Sequence, residues 1–225
     1  MLIEEAQWLR TQLDSLDPGD VFPMCNIGSS TDHFRRVEQP YIDKYLFEPA
    51  RARGLKVVHI DMKAAPGVDL VGDLLNPEFL RNLAGLKFKS VMCCNLLEHV
   101  TDRRVVCDAI RSLIGPSGYL FVTVPHLFPY HEDPIDTMYR PTIDDVIALF
   151  PGTSIHKAAI VRASRFTSEM GSSYRALFWM IVRSAIPFYR PHRWWAAVRR
   201  LAEIAIGYKV TCVILHRRPA TDSPK

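Results

Sequence analysis

The chain has 225 residues, 48% of them hydrophobic, 23% charged and 10% aromatic, with a mean hydropathy near zero. These values fit one globular domain with an added segment, and they exclude disorder, a collagen-like chain and an integral membrane bundle. The net charge of +4 hides an asymmetry: from Arg162 onward there are 12 Lys and Arg against 3 Asp and Glu, and before it 16 against 21, so the basicity belongs to the tail.

The opening stretch MLIEEAQWLR is acidic and amphipathic, unlike a secretory leader, which is basic and then apolar. A first β-like run, Val21 to Ile27, closes on Gly28, Ser29 and Ser30. A second, Lys56 to Met62, is β-branched and holds Asp61 near its end. Asp69 to Gly72 is a weaker third, followed by Asp73 and Leu74. The fourth, Ser90 to Cys94, runs into Asn95, and the fifth, Tyr119 to Val124, follows a GPSG turn and stops at Pro125. Helical patterns at 40 to 52, 77 to 85, 101 to 113 and 142 to 149 lie between or after them. Short apolar strands alternating with helices predict an α/β fold, a parallel sheet covered on both faces. After Pro151 two further strands are expected, Ile155 to Ala163 and Lys209 to His216. A basic, aromatic helical insertion at about 165 to 207 separates them within a single domain spanning 1 to 225.

In such a sheet ligands bind at the carboxyl ends of the strands, so the polar residues there are the first candidates. Gly28, Ser29 and Ser30 sit where a charged ligand end meets backbone N–H groups, although a plain strand-to-helix turn reads the same way. Asp61 suits the vicinal hydroxyls of a ribose, because a carboxylate only accepts hydrogen bonds. Asp73 could accept from an exocyclic amine. Each acid alone equally fits a solvated cap; the three positions in chain order describe a site for an adenosine-bearing ligand.

The stretch SVMCCNLLEHVTD, followed by AIRSLIGPSGYLFVTVP, resembles the fourth- and fifth-strand motifs of class I S-adenosylmethionine (SAM)-dependent methyltransferases with an LEHV signature, over about Val21 to Thr142. The resemblance implies a Rossmann-like sheet, mostly parallel with an antiparallel last strand, and SAM as cofactor with S-adenosylhomocysteine as product. It places Asn26, Gly28, Ser29 and Ser30 at the cofactor's methionine part, Asp61 and Met62 at the ribose, and Asp73 and Leu74 at the adenine. Asn95, Leu96 and Glu98 then line the pocket, with His99 after them. Only Gly28 matches a glycine of the family's acidic-x-Gly-x-Gly-x-Gly loop, so amide and hydroxyl side chains are expected to replace some of its hydrogen bonds. The 33 residues from Gly28 to Asp61 exceed the roughly 20 of a dinucleotide fold, and the extra segment, Asp32 to Arg53, is expected to form a helical turn or lid. Similar enzymes that read E-x-x-E-H bind a divalent metal. Here the first acid is Asn95, which argues against a tight metal site and leaves only a weak Mg²⁺ completed by Asp133 or Asp136.

The segment from Pro125 to Thr142 resembles an HxxPxDxxRxT stretch of bacterial methyltransferases associated with polysaccharides and cell-surface glycans. It implies O-methylation of a saccharide or lipid-linked glycan hydroxyl. His126, Tyr130, Asp136 and Arg140 would bind the acceptor, and His131 would be the general base, with His99 the other catalytic candidate. A small-molecule or quinone-type methyltransferase, and a scaffold that binds SAM poorly, are the competing readings.

The insertion, rich in Trp and Arg, suits a peripheral membrane contact, a homodimer interface or a cap on the sheet, and no RNA- or DNA-reading motif accompanies it, so no nucleic acid is expected. Its longest strongly apolar run, Ala176 to Val182, is too short to cross a bilayer. Five cysteines, two of them adjacent, make a poor disulfide framework, and a reducing cytoplasm is expected, with contact at the inner membrane face an option.

Overall fold

Residues in the central strands alternate between two apolar layers, which is what a sheet covered on both sides requires. In the computed structural model, which describes residues 1–130, 135–163, 181–182, 194–195 and 207–217, seven strands form one sheet. They are β1 (Met24–Ile27), β2 (Val57–Asp61), β3 (Leu70–Val71), β4 (Ser90–Cys94), β5 (Tyr119–Leu127), β6 (Thr153–Ala163) and β7 (Tyr208–Arg217). The spatial order is β3-β2-β1-β4-β5-β7-β6. The pairs from β3 across to β5 are parallel, and β7 runs antiparallel to both β5 and β6. Strand order reverses between β1 and β4, so their carboxyl ends open the crevice in which ligands bind in sheets of this kind.

On one face, Val91 and Cys93 of β4, Leu120 and Val122 of β5, and Val213 and Leu215 of β7 pack against α5 (Pro77–Ala84), α6 (Arg103–Leu113) and α7 (Ile143–Ala148). On the other, Met24, Met92, Phe121 and Ile214 meet α1 (Ile3–Asp14) and the segment 34–52. Each fully buried side chain of this size stabilises the fold by about 1.5 to 3 kcal/mol, and both faces need their helices to realise it. The helix starts follow from local chemistry: the Asn76 side chain accepts from the backbone N–H groups of Glu78 and Phe79, Asp102 caps α6, and Thr142 and Asp145 form a reciprocal capping box on α7. A short α2 (Pro18–Val21) precedes β1.

Two elements depart from the sequence expectation. Segment 34–52 forms the expected helical turns but is more than a cover for the cleft: Ile42, Leu46, Phe47 and Ala50 are buried, so it is the second layer over the sheet, and Phe34, Gln39 and Tyr41 also line the cleft described below. It is also not one regular helix. Widened π-helical turns at Phe34–Glu38 and Asp43–Phe47 alternate with α3 (Pro40–Ile42) and α4 (Glu48–Ala52). Pro49 has no N–H for the carbonyl four residues back and its ring crowds that turn, which favours the wider geometry. Strand β5 likewise does not stop at Pro125 but continues to Leu127, with a register shift between those two residues that accommodates the missing donor.

Residues 164–207 join β6 to β7, and the expectations for the insertion lie outside the described residues apart from 181–182 and 194–195. There Ile181 and Trp195 are exposed, and the rings of Trp194 and Trp195 are 5.7 Å apart. Among the described residues no helix is long and apolar enough to cross a membrane. All five cysteine thiols are free.

Candidate functional site

Four loops leave the carboxyl ends of β1, β2, β3 and β4 and, with the start of α1, segment 34–47 and residues of β5 and β7, line a cleft of about 970 Å³. All eleven residues expected at the cofactor, from Asn26 to Glu98, line it, and so does His99. The chain reaches this arrangement through left-handed turns: Gly28 at φ 66°, Ser30 at φ 54° and Asn95 at φ 50°. At Gly28 a Cβ would also come within 3.1 Å of Leu96 Cδ1, so glycine answers two demands there.

The β1 and β2 loops are stitched to each other. The Ser29 N–H donates to the Ile60 carbonyl at 3.0 Å, and the Ser30 N–H donates to Asp61 Oδ2 at 2.9 Å. The other Asp61 oxygen accepts from the Lys63 N–H at 3.1 Å. Each carboxylate oxygen therefore holds one backbone donor and keeps a lone pair for a ligand hydroxyl. Asp73 is similar: Oδ1 accepts from the Leu75 N–H at 2.9 Å. Exposed Met62 and buried Leu74 add apolar surface between the two acids.

Asn26 is tied to the neighbouring strand. Its amide donates to His59 Nδ1 at 3.0 Å, and burial, aided by the nearby Arg35 charge, pulls His59 down to about 4, so that nitrogen keeps the lone pair the bond needs. Asn95 is also engaged, donating to Glu5 Oε1 at 2.9 Å. The side-chain hydroxyl of Ser29 turns to the Ser30 carbonyl at 3.3 Å. The side chains of Asn26, Ser29 and Asn95 are thus bonded within the protein, and they shape the loops that form the wall.

Two buried charged residues that the sequence reading missed hold this wall together. The Arg35 guanidinium donates to the carbonyls of Ser29, Ser30 and Gly67, each at 2.7 Å, and clamps the β1 loop onto the β2–β3 loop. Glu5 of α1, fully buried, accepts from Thr123 Oγ1 at 2.6 Å, from Asn95 and from the Leu2 N–H at 2.9 Å. An acidic, amphipathic opening was legible in the sequence; that one of its acids enters the core was not.

The loop after β5 supplies less to the cleft than the sequence implied. Asp136 and Arg140 form a two-pronged pair, at 3.0 and 2.6 Å, with the Asp136 side chain buried, and Arg140 also donates to the carbonyls of Phe128 and Pro129. Their charges brace the loop, and neither residue lines the cleft. His126 is outside it too, its Nδ1 donating to the Pro141 carbonyl at 2.9 Å, and Tyr130 is exposed away from it. What the loop does contribute is Pro125 and Phe128, whose ring stacks at 4.4 Å on that of Tyr208 from β7, and both rings line the cleft. The expected base His131, and Asp133, lie outside the described residues.

A scan against models of known protein families finds no match for the sequence, and neither does a search of curated proteins. Comparison with solved structures does find similar folds. A protein of Galdieria sulphuraria assigned as a sarcosine dimethylglycine methyltransferase is 13% identical and superposes with a TM-score of 0.52, over 95% of this chain and 84% of that one. The MccD protein is 12% identical with a TM-score of 0.51, over 95% and 96%. A SAM-dependent methyltransferase from Archaeoglobus fulgidus is 14% identical with a TM-score of 0.48, over 94% of each chain. The fold is the Rossmann-like one of methyltransferases.

Proposed function

We propose that this chain is a SAM-dependent methyltransferase that methylates a hydroxyl of a saccharide or lipid-linked glycan. The observation that carries the cofactor reading is the convergence of Gly28, Asp61, Asp73 and Asn95, each from a different strand end, on one cleft at the switch point of the sheet. The donor set fits the group. Both Asp61 oxygens retain acceptor capacity for a ribose diol, and Asp73, flanked by Leu74 and Met62, does so for an adenine amine. SAM, when bound, supplies an electrophilic methyl group carried on a positively charged sulfur.

The protein's own work is then orientation and proton removal. Holding the acceptor oxygen in line at near-attack distance accounts for most of the acceleration such a site can give. The cleft volume leaves space beside a nucleotide-sized ligand, and the Phe128 and Tyr208 rings, packed on each other at a tilt, offer aromatic surface for the C–H face of a sugar. The resemblance of residues 125 to 142 to glycan-associated methyltransferases supports that acceptor class.

The direct test is calorimetric titration with S-adenosylhomocysteine. Asp61→Ala is expected to weaken its binding by about 1.5 to 3 kcal/mol, or roughly 10- to 150-fold in Kd, because hydrogen bonds to a charged acceptor are lost. Unchanged affinity in that variant would remove the ribose site as drawn. A labelled-methyl transfer screen over methyl glycosides, lipid-linked sugars and phenols then decides the acceptor.

No metal is assigned. Asn95 stands where the similar metal-dependent enzymes carry an acid, and its amide is bonded to Glu5. Asp136, one of the two acids that could have completed a weak Mg²⁺ site, is committed to Arg140. Dialysis against EDTA is expected to leave S-adenosylhomocysteine affinity and methyl transfer unchanged. Loss of either that Mg²⁺ restores would show that Glu98 and His99 hold an ion.

A further inference from the structure

Arg35 lies in the cleft wall with 3% of its surface exposed, and the acids that face it are engaged elsewhere. Asp32 and Asp43 pair with Arg36 and Arg51, and Asp69 accepts from the His59 N–H at 2.7 Å. The Arg35 guanidinium donates instead to neutral carbonyls. Burial draws it below the ordinary arginine value while the three carboxylates oppose the fall, and a guanidinium keeps its charge in any protein site. A buried cation held this way costs more than an apolar side chain in the same space, so where its bonds lead is informative.

They lead to Asp61 through a single peptide. Nη1 donates to the Ser29 carbonyl at 2.7 Å, and the N–H of that same peptide, carried by Ser30, donates to Asp61 Oδ2 at 2.9 Å. A trans peptide points its C=O and N–H in opposite directions, so guanidinium and carboxylate stand on its two sides. A cation on the carbonyl draws electron density from the amide and makes its N–H the stronger donor. Nη1 also donates to the Ser30 carbonyl at 2.7 Å, which bridges the two carbonyls flanking Ser30. That residue stands at φ 54°, in the left-handed region that serine enters only at a cost, and the bridge holds it there. Nη2 completes the clamp on the Gly67 carbonyl, where a Cβ would come within 2.5 Å of Asp32 Cβ and 2.9 Å of Nη2 itself.

We propose that Arg35 is the positioning residue of the ribose site: acting through the Ser29–Ser30 peptide, it keeps Asp61 turned to accept the two ribose hydroxyls, and so sets the cleft's preference for a ligand that carries them. The proposal rests on the cofactor reading above.

The test compares S-adenosylhomocysteine with its 2′,3′-dideoxy analogue, which lacks only the diol. Calorimetry gives both Kd values for wild type, Arg35→Met, Asp61→Ala and the double variant, and their ratio is the readout. Wild type should prefer the diol by at least about tenfold. Arg35→Met should lower that preference at least about threefold, and in the Asp61→Ala background it should leave what preference remains unchanged to within about 1.5-fold. If the variant instead weakens both ligands alike and keeps the ratio, Arg35 only stiffens the fold or serves the amino-acid end, and the proposal is overturned. A threefold fall that persists without Asp61 overturns it too. Should circular dichroism show Arg35→Met unfolded, Arg35→Lys takes its place, because lysine keeps the charge without the planar fork that bridges carbonyls. A preference lowered by at least about twofold is then expected, and an unchanged one overturns the proposal. Wild type that binds both ligands equally removes the ribose site and this proposal together, whereas wild type that binds neither removes the methyltransferase reading itself, a failure seen before any variant is made.

Discussion

Replacing Glu5 by leucine should destabilise the protein by about 3 to 5 kcal/mol, lowering the melting temperature by roughly 10 °C. The reason is the set of donors that converge on this carboxyl. Thr123 Oγ1 and the Leu2 N–H donate to it through buried bonds and the Asn95 amide through a part-buried one, and leucine has nothing to accept them. Each buried donor left without a partner costs about 1 to 3 kcal/mol, so the two buried ones, with the part-buried Asn95 amide adding to them, outweigh the apolar surface that leucine adds. The effect should reach the cleft, because Asn95 sits in a left-handed turn at its wall and loses the bond that fixes its side chain. S-adenosylhomocysteine affinity should fall with stability. Glu5→Gln, which keeps one carbonyl oxygen for Thr123 and Asn95, should cost clearly less. Urea unfolding of the three proteins measures this, and a Glu5→Leu variant as stable as wild type would mean that α1 is held by its apolar face alone.

The second large effect depends on pH and concerns Glu98. In the unfolded chain this residue titrates near 4.5, and in the folded protein at about 7. Between those values the folded state holds the proton more tightly than the unfolded one. The stability linked to the neutral form is therefore complete below pH about 4.5 and is lost as pH rises through about 7. A difference of that size corresponds to about 3 kcal/mol. Glu98→Gln cannot ionise, so it should match wild type near pH 4.5 and exceed it in stability by about that amount at pH 8. Denaturant unfolding across this range measures the divergence. Parallel curves for the two proteins would mean that Glu98 gains a proton donor or a cation when folded. A carboxyl kept ionisable at a stability cost in a ligand cleft is characteristic of groups retained for chemistry.

Much of the candidate site was legible in the linear sequence because its residues sit at strand ends, where period and punctuation coincide. Asp61 and Asp73 each stand next to a short apolar run, and strand ends in a parallel sheet all point into one crevice, so order along the chain translates directly into proximity. The roles of Asn26, Ser29 and Asn95 were not legible, since whether a polar side chain faces a ligand or a neighbour depends on what the adjacent strand presents. Asn26 pairs with His59 because β1 and β2 run parallel in a register that sets these two residues side by side. Asp136 and Arg140 were expected as acceptor contacts from the resemblance of residues 125 to 142 to a family stretch. At four residues apart they found each other first, and the loop they brace keeps them out of the cleft.

The sequence by itself determined the seven strands, the helices that follow their caps, the placement of the ligand cleft and the acids around it. These follow from local rules: apolar period, capping residues, and the fixed direction of strands in an α/β sheet. Only the tertiary structure decided which charged groups are taken out of water. Glu5 and Thr123 are 118 residues apart, and the Arg35 clamp reaches 32 residues on, to Gly67, so no local pattern announces either contact. The same holds for Glu98, buried by the layers that close around it, a consequence of packing that its neighbours in sequence do not encode.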